Sequence, residues 1–505
     1  MAGKERAMIN PYRYVQDEPY KLYINGEFVE SESGETAQAV NPVNNRPFAS
    51  FFLGGRQDAE KAITAARRAF DEGPWGGMTN LQRSKLLLKA RDLLQQRQEE
   101  FACIETLDCG KIYPSTLYYE VQQALDALEY YAGKARCLEG KVVPVDGGGR
   151  YLNYVTWEPC GVVGEILPWN GPLMMGCQKI AAILGAGNTV IVKPSSWAAL
   201  SMLKMAEIFH EAGFPPGVVN VITGPGSVVG DVLVRSADVD MVSLTGGTET
   251  GKKIIASSAD TVKQLALELG GKSPNIIFED VDIAQAAKWA LFGFTLNSGQ
   301  VCVAGTRIIV QESIYEEFLA ELAALVKQFK LGDGFDFEQG VNFGPLISRE
   351  HFQSVLSYIE KGKAEGARFV TGGAALEGAL AEGNFVYPTI FADVTPEMTI
   401  FKEEIFGPVA CVCRFRTEEE AVALANAVDY GLAGAVFTKD VARAHRVAKK
   451  IKAGQVYINT YFSKGMVESP GTGWKHSGLG VAGIHKYMIS KTTFVELGDN
   501  VSPPM

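Results

Sequence analysis

The chain has 505 residues, 47% of them hydrophobic and 21% charged, which is the composition of an ordinary globular protein long enough for about three domains. Its formal net charge of -10 argues against nucleic acid and anionic membrane surfaces as partners. No apolar run reaches the roughly 18 residues of a membrane span, and the N-terminal residues lack the apolar core of a signal peptide. We therefore expect a soluble protein of the cytoplasm.

The cysteines and histidines argue against two further classes. The eight cysteines, at positions 103, 109, 137, 160, 177, 302, 411 and 413, show no paired spacing and so indicate no disulfide framework. The five histidines are scattered and no H-E-x-x-H motif occurs, so we predict no metal site. Reduced thiols are typical of the cytosol.

The first part of the chain predicts a short hairpin followed by a helical layer. Residues 1–18 are polar and irregular, as in a surface arm. An Asn-Gly turn within residues 22–29 favours two short strands. After Asn41-Pro42, helical periodicity marks residues 58–70, 81–104 and 118–131.

Residues 142–158 alternate in hydrophobicity like a second hairpin, with Asp146-Gly147-Gly148-Gly149 as its turn. The edges of a projecting hairpin need to be covered, and a partner subunit would cover them. A plain surface ribbon fits the residues equally well.

From Gly161 onwards strands alternate with helices. Strands are predicted at 162–166, 189–192, 218–222 and 241–244, and helices at 172–184, 200–212 and 228–235. This alternation is typical of βαβ units and a parallel sheet. Ligands of such sheets bind beyond the carboxyl ends of the strands.

Three motifs follow those strand ends. Asn170 offers a side-chain N–H to a developing oxyanion, or it caps the helix that begins at Pro172. Lys193 closes a buried strand and can bind ribose hydroxyls or a phosphate. The turn around Gly246 and Gly247 leads into a helix, whose N-terminus suits a pyrophosphate.

The second half continues the α/β pattern. Strands are predicted at 275–278 and 306–310, helices at 283–296 and 314–325, and further strands around Val370, 410–415 and 456–458. We interpret Gly270 and Gly271 as a hinge between two α/β domains. Glu404 and Phe406 lie in a tight Ile-Phe-Gly-Pro turn, which is either an ordinary turn or part of a ligand site.

Cys302 and Glu268 are the candidate reactive pair. Cys302 follows the small polar turn Asn297-Ser298-Gly299-Gln300, and Glu268 is the single carboxylate of an apolar strand-like run. A thiolate is a strong nucleophile, and a buried carboxylate suits a general base. Taken alone, each residue also fits a structural role. Cys302 could be a buried structural thiol, and Glu268 could be an exposed charge at the end of a strand.

Six ordered segments resemble the aldehyde dehydrogenase superfamily. They are Glu268-Leu269-Gly270-Gly271-Lys272-Ser273-Pro274, Gly299-Gln300-Val301-Cys302, Pro168-Trp169-Asn170, Ile191-Val192-Lys193-Pro194, Leu244-Thr245-Gly246-Gly247-Thr248-Glu249-Thr250-Gly251 and Glu403-Glu404-Ile405-Phe406-Gly407-Pro408-Val409. The resemblance implies an α/β fold with three parts: a Rossmann-like NAD(P)-binding domain (1–139 and 159–270), an α/β catalytic domain (271–480) and a small β oligomerisation element (140–158 and 481–505). It also implies a homodimer or homotetramer.

The resemblance assigns roles residue by residue. The catalytic residues would be Cys302, Glu268 and Asn170. The cofactor, NAD or NADP, would be bound by Ile166, Pro168, Trp169, Lys193, Ser196, Gly226, Gly246, Gly247, Thr248, Gly251, Leu269, Glu404 and Phe406. The substrate tunnel would include Met175, Gln178, Val301, Val303, Tyr461 and Phe462.

Five residues depart from the family's pattern. Most NAD-preferring members have glutamate where Ser196 stands, and its absence removes a clash with a 2′-phosphate, so NADP is plausible. Many members have an aromatic residue where Gln178 stands, and its absence favours apolar or aromatic aldehydes over betaine aldehyde. Many also have an aromatic residue where Gly471 stands, on the wall of the substrate tunnel, which leaves the width of the tunnel open. Many members also continue Arg-Glu where Val481-Ala482 follow, which leaves the local subunit contacts open.

The predicted reaction is oxidation of an aldehyde to the carboxylic acid. Cys302 would attack the carbonyl, a hydride would pass to NAD(P)+, and water activated by Glu268 would hydrolyse the thioester. A CoA-acylating dehydrogenase is one alternative, although that branch typically lacks the glutamate. A non-catalytic binding or structural relative is the other, and the intact set of Cys302, Glu268 and Asn170 argues against it.

Overall fold

Two large sheets dominate the computed structural model, which describes residues 9–146, 151–374, 377–462, 467–469, 471–480 and 483–498. The first has eight strands, in the spatial order Glu27–Val29, Leu22–Ile24, Val219–Val221, Thr189–Lys193, Val162–Ile166, Met241–Thr245, Gln264–Glu268 and Gly478–Leu479. The five strands from Val219–Val221 to Gln264–Glu268 are parallel. The others pair antiparallel.

Helices cover both faces of the first sheet, because its central strands are buried along almost their whole length. They are Arg56–Asp71, Pro172–Ala186, Leu200–Ala212, Asp231–Arg235 and Thr248–Ser257. The predicted strand–helix alternation after Gly161 is confirmed with shifts of one or two residues, except that a π-helical turn, Gly226–Gly230, begins the predicted helix 228–235.

The second sheet has seven strands, in the order Arg368–Ala374, Val386–Ala392, Val409–Phe415, Arg307–Gln311, Pro274–Ile277, Ala433–Phe437 and Gln455–Ile458. All pairs are parallel except the first. Its helices are Ile283–Thr295, Tyr315–Val326, Arg349–Ala364, Glu418–Asn426 and Val441–Lys450. The two sheets confirm the predicted α/β class.

Two strands of this sheet were not predicted from the sequence. Val386–Ala392 contains Pro388, and an internal proline normally argues against a strand because it removes a ladder donor. Ala433–Phe437 is short, and three of its five residues are alanine or glycine, which weakens the β signal. Both strands are nevertheless buried in the sheet, where packing on both faces decides their conformation.

The N-terminal layer differs from the prediction in three places. A hairpin, Thr36–Asn41 with Arg46–Phe52, precedes the helices and was not predicted. The predicted helix 81–104 is two helices, Asn80–Gln96 and Gln98–Cys109, because Arg97 leaves the helical region at φ -103° and ψ 16°. The predicted helix 118–131 corresponds to Val121–Arg136 after a π-helical turn.

A third, three-stranded antiparallel sheet contains the predicted second hairpin. Its strands are Lys141–Val143, Tyr151–Pro159 and Met488–Glu496, and the last two pair over nine residues. Val142 and Phe494 are exposed on it. The predicted turn at Gly147-Gly148-Gly149 and residues 1–8 of the predicted arm lie outside the described residues.

No helix in the described ranges combines the length and the apolar character needed to cross a membrane. Within the same ranges, no three His, Cys, Asp or Glu side chains form a group suited to a metal ion.

Candidate active site

A cavity of about 1350 Å³ lies where the carboxyl ends of the first sheet meet the second sheet. Cys302, Glu268 and Asn170 all line it. Most of the predicted cofactor residues line it as well: Ile166, Pro168, Trp169, Lys193, Ser196, Gly226, Gly246, Gly247, Leu269, Glu404 and Phe406. Thr248, Gly251 and Tyr461 do not, although each supports the wall.

The environment of Cys302 disfavours the ionised form of its thiol. Burial raises its pKa to about 12, and the nearby carboxylates of Glu404 and Glu268 add to the rise. The residue lines the cavity, unlike Cys411 and Cys413, which are buried in the sheet core. The interpretation of Cys302 as a structural core thiol therefore does not describe its position.

An unusual loop presents Cys302. Asn297, Ser298 and Gly299 adopt three successive left-handed conformations, with φ of 48°, 56° and 76°. For serine this conformation is costly, and hydrogen bonds to the neighbouring segment hold it. The Ser298 hydroxyl donates to the Gly344 carbonyl at 2.8 Å, and the side chain of Gln300 accepts from the Ile347 N–H at 2.9 Å. The Asn-Ser-Gly-Gln run signalled a turn, but not its anchoring to residues 344–347.

Asn170 is joined to this loop and does not cap a helix. Its side-chain amide donates to the Gln300 carbonyl at 2.9 Å, and the Asn297 amide donates to the Asn170 carbonyl at 3.0 Å. The residue before the helix Pro172–Ala186 is Gly171, and no side chain caps that helix. The capping alternative is therefore wrong, and the amide lies beside the loop that carries Cys302.

Glu268 ends the strand Gln264–Glu268 and faces the cavity. Its side chain is 20% exposed, so the interpretation as an exposed strand-end charge is also wrong. Its Oε1 accepts from Nζ of Lys486 at 3.1 Å. Lys486 was not predicted, because nothing in its local sequence distinguishes it from an ordinary surface lysine.

Gly270 and Gly271 allow close packing at the centre of the site. A Cβ at Gly271 would overlap the carbonyl oxygen of Cys302, and one at Gly270 would overlap the Glu404 carboxylate. The Gly271 N–H donates to Glu404 Oε1 at 2.8 Å. Burial raises the pKa of Glu404 to about 7, against this hydrogen bond and Lys272, which lower it.

Phe406 stands in a strained turn at φ 57°. Its carbonyl accepts from Nε2 of His351 at 2.7 Å, a contact that the sequence did not signal. The rings of Trp169 and His351 pack against the Phe406 ring, with Trp169 edge to face at 5.2 Å, and Trp169 also contacts Trp197. This turn is thus part of the cavity wall and not an isolated surface turn.

The cavity offers groups that fit a dinucleotide. Gly247 precedes the helix Thr248–Ser257 with no side-chain cap, and a Cβ there would meet no atom within 4 Å. The first N–H groups of that helix therefore have room for an anion. Burial lowers the pKa of Lys193 to about 8, and its Nζ donates only to the Pro194 carbonyl among the described residues. Ser196 is half-buried beside it.

Thr248 and Gly251 lie just behind this surface. The Thr248 hydroxyl donates to the His476 carbonyl at 3.3 Å. A Cβ at Gly251 would collide with the side chain of Leu269, so this glycine lets the helix pack closely against the strand end. Neither residue lines the cavity itself.

The other end of the cavity is mostly apolar. Of the predicted tunnel residues, Met175, Gln178, Val301, Val303 and Phe462 line it. Tyr461 is 1% exposed and donates to the Val303 carbonyl from behind the wall, so it supports the tunnel without lining it. Residues that were not predicted complete this end: Met174, Leu291, Phe292 and Thr295. The departure at Val481-Ala482 lies outside the described residues.

Known proteins similar to this chain share one family. A model of the aldehyde dehydrogenase family matches residues 28–495. A putative aldehyde dehydrogenase, DhaS, of Bacillus subtilis is 42% identical over 95% of this chain and 96% of that protein. The betaine aldehyde dehydrogenase of the same organism is 43% identical over 92% of this chain and 95% of that protein.

Solved structures give the same result. An NAD+ complex of aldehyde dehydrogenase from Bacillus cereus superposes with a TM-score of 0.92 at 42% identity, covering 95% of this chain and 97% of that one. A betaine aldehyde dehydrogenase from Staphylococcus aureus, in complex with NAD+, reaches a TM-score of 0.92 at 41% identity, covering 95% of each chain.

Proposed function

We propose, from the premise that this chain belongs to the aldehyde dehydrogenase family, that it oxidises an aldehyde with NAD(P)+ and releases the free carboxylic acid. Family membership makes the chain an oxidoreductase of aldehydes with a nicotinamide cofactor. The residue roles and the substrate class are our proposal. It rests above all on one observation, that Cys302, Asn170 and Glu268 line the same cavity.

The chain's own groups act before and after hydride transfer. The Cys302 thiol gives its proton to solvent water in the cavity, and its sulfur bonds to the aldehyde carbon as the carbonyl π bond breaks and leaves its electron pair on oxygen. The Asn170 amide and the Cys302 backbone N–H donate to the oxygen that becomes negative. When bound, the cofactor supplies the hydride acceptor. An acyl group then remains on Cys302 as a thioester.

Glu268 completes the reaction by hydrolysis. It takes a proton from water while the water oxygen bonds to the thioester carbon. The C–S bond then breaks, the acid leaves, and the sulfur departs as thiolate. The presence of this carboxylate in the cavity supports release of free acid over transfer to CoA.

The groups at the cofactor end support NADP as well as NAD. Ser196 is uncharged and half-buried on the cavity wall, so it does not repel a 2′-phosphate as a carboxylate would. Lys193, beside it, can attract one. We therefore propose that the enzyme accepts NADP, and that Ser196→Glu sharpens its preference for NAD.

The substrate end supports an apolar or aromatic aldehyde. Met174, Met175, Leu291, Phe292 and Phe462 all line the cavity, and such side chains favour a ligand body without charge. Gln178 stands on the same wall. Betaine aldehyde, a cation, is therefore expected to be a poorer substrate here.

A kinetic screen tests these proposals. Aromatic, aliphatic and quaternary-ammonium aldehydes are each assayed with NAD and with NADP, and the products are analysed as free acid or, with CoA present, as acyl-CoA. The proposal predicts free acid and the highest kcat/KM for uncharged aldehydes. Rejection of NADP by about two orders of magnitude, or acyl-CoA as the product, would contradict it. Cys302→Ser is the inactive control.

We also propose the domain division at 1–139 with 159–270, 271–480, and 140–158 with 481–505. The three sheets support it, with one exception: Gly478–Leu479 pairs with Gln264–Glu268 in the first sheet. The exposed third sheet suits a dimer or tetramer contact. All eight cysteines are unpaired, which fits a cytoplasmic enzyme.

A further inference from the structure

Lys486 contacts the proposed general base from a distant part of the chain. It lies in the short 3-10 turn Ile484–Tyr487 that leads into the strand Met488–Glu496. Its side chain is 7% exposed and lines the cavity. Its Nζ donates to Glu268 Oε1 at 3.1 Å, and no other salt bridge joins it to a carboxylate in the described part of the chain.

The contact leaves the two oxygens of Glu268 in different situations. Oε1 is bound to Lys486, whereas Oε2 has no hydrogen-bond partner among the described residues. The whole carboxylate borders the cavity that also contains Cys302. One oxygen is therefore anchored and the other is available to a water molecule.

A second ion pair lies directly behind this one. Nζ of Lys179 is 3.3 Å from Glu165 Oε1 and donates to the Ser243 hydroxyl at 3.1 Å. All three side chains are buried, and the hydroxyl of Tyr487, the neighbour of Lys486, lies 3.4 Å from that of Ser243. Lys179 therefore has its own carboxylate partner in Glu165, and Lys486 is the lysine that contacts Glu268.

A lysine at this place is a poor choice for stability alone. Removing an ammonium from water is costly, and one ion pair returns only part of that cost. The Lys486 side chain lines the reaction cavity. The strand Met488–Glu496, which follows the turn of Lys486, fixes the position of that turn relative to Glu268. These features point to a role in the reaction.

We propose that Lys486 is a positioning residue for thioester hydrolysis. By holding Oε1, it fixes the orientation of the Glu268 carboxylate and directs Oε2 towards the water that attacks the acyl group on Cys302. It exchanges no electrons and forms no covalent bond, and the proton still passes from water to Glu268. The inference rests on the proposed role of Glu268 as the base.

The test separates hydrolysis from the steps before it. The full-length protein is mixed with cofactor and an excess of an aldehyde that it oxidises, and rapid quenching measures NAD(P)H formation and acid release separately. In Lys486→Met we expect the first turnover of NAD(P)H to stay within about twofold of the parent. Acid release should slow about tenfold, since an unanchored base loses part of the 10²–10⁴-fold effect of general base catalysis.

Three further variants make the result specific. Lys486→Arg keeps the cation and should restore most of the acid release. Lys486→Gln repeats the charge loss with a polar side chain, should the Met variant fold poorly. Lys363→Met removes a lysine from another lysine–glutamate pair, the exposed contact with Glu360 at 2.8 Å, and should change neither rate.

Hydroxylamine gives a readout that a merely structural role would not change. It attacks thioesters without a general base, so it should restore turnover in Lys486→Met and form the hydroxamate. Equal slowing of both steps, or unchanged acid release, would overturn the inference. The Glu268→Gln variant separates the failure of the proposed role of Glu268 from the failure of the role of Lys486. If this variant hydrolyses the thioester at the parent rate, the proposed role of Glu268 fails. If it is slow while Lys486→Met is normal, only the role of Lys486 fails.

Discussion

Gly271 offers the sharpest test of how the reactive loop is held. An alanine Cβ at this position would overlap the carbonyl oxygen of Cys302 and would lie 3.3 Å from Cβ of Leu432. The first neighbour is backbone and cannot rotate away. Substitution by alanine must therefore move the strand end or the Cys302 peptide.

Two separate magnitudes follow from this geometry. Overpacking of this kind costs about 1–3 kcal/mol in the free energy of unfolding. A shift of about 1 Å at the reacting sulfur lowers the rate on the order of 10²-fold. The Gly271 N–H also donates to Glu404, so the same movement weakens that contact. We expect the loss of activity to be larger than the loss of stability alone would explain.

Gly133 is the matched control for this substitution. It lies within the helix Val121–Arg136, and a Cβ there would meet no atom within 4 Å. Gly133→Ala should stabilise the protein by about 0.5–1 kcal/mol through helix propensity and leave activity unchanged. Urea unfolding gives the free energies, and the NAD(P)H burst gives the rate of the first turnover. A Gly271→Ala enzyme with the parent's burst rate and stability would refute the packing argument.

Three further predictions concern the site and its supports. Because the pKa of Cys302 is raised to about 12, the thiolate fraction without cofactor should rise about tenfold per pH unit. The rate of alkylation by iodoacetamide should therefore rise from pH 7 to 10. A plateau of that rate below pH 9 would contradict this prediction. Lys111 is buried between Glu105 and Glu120, so Lys111→Met should lower the free energy of unfolding by about 3–5 kcal/mol. Urea titration measures this change, with Lys363→Met as the control. A change below about 1 kcal/mol would show that the carboxylates find other partners. Asn170→Ala should lower kcat about 10²–10³-fold through loss of an oxyanion donor, and a kcat within threefold of the parent would exclude that role.

Much of the fold followed from local patterns. The parallel strands Val162–Ile166 and Thr189–Lys193 and the helix Leu200–Ala212 lie where the periodicity placed them, because burial on both faces of a sheet requires a continuous apolar run. The Asn-Ser-Gly-Gln run before Cys302 likewise predicted a turn. Strands with weak local signals, such as Val386–Ala392, were missed because tertiary packing overrides propensity there.

The aldehyde dehydrogenase family, its α/β class and its ordered motifs were determined by the sequence alone. Only the tertiary structure decided how the site is held: Asn170 binds the loop of Cys302 and caps no helix, and His351 holds the turn of Phe406. Lys486 reaches Glu268 across 218 residues. Such contacts depend on which strand ends meet in space, and no local periodicity or propensity carries that information.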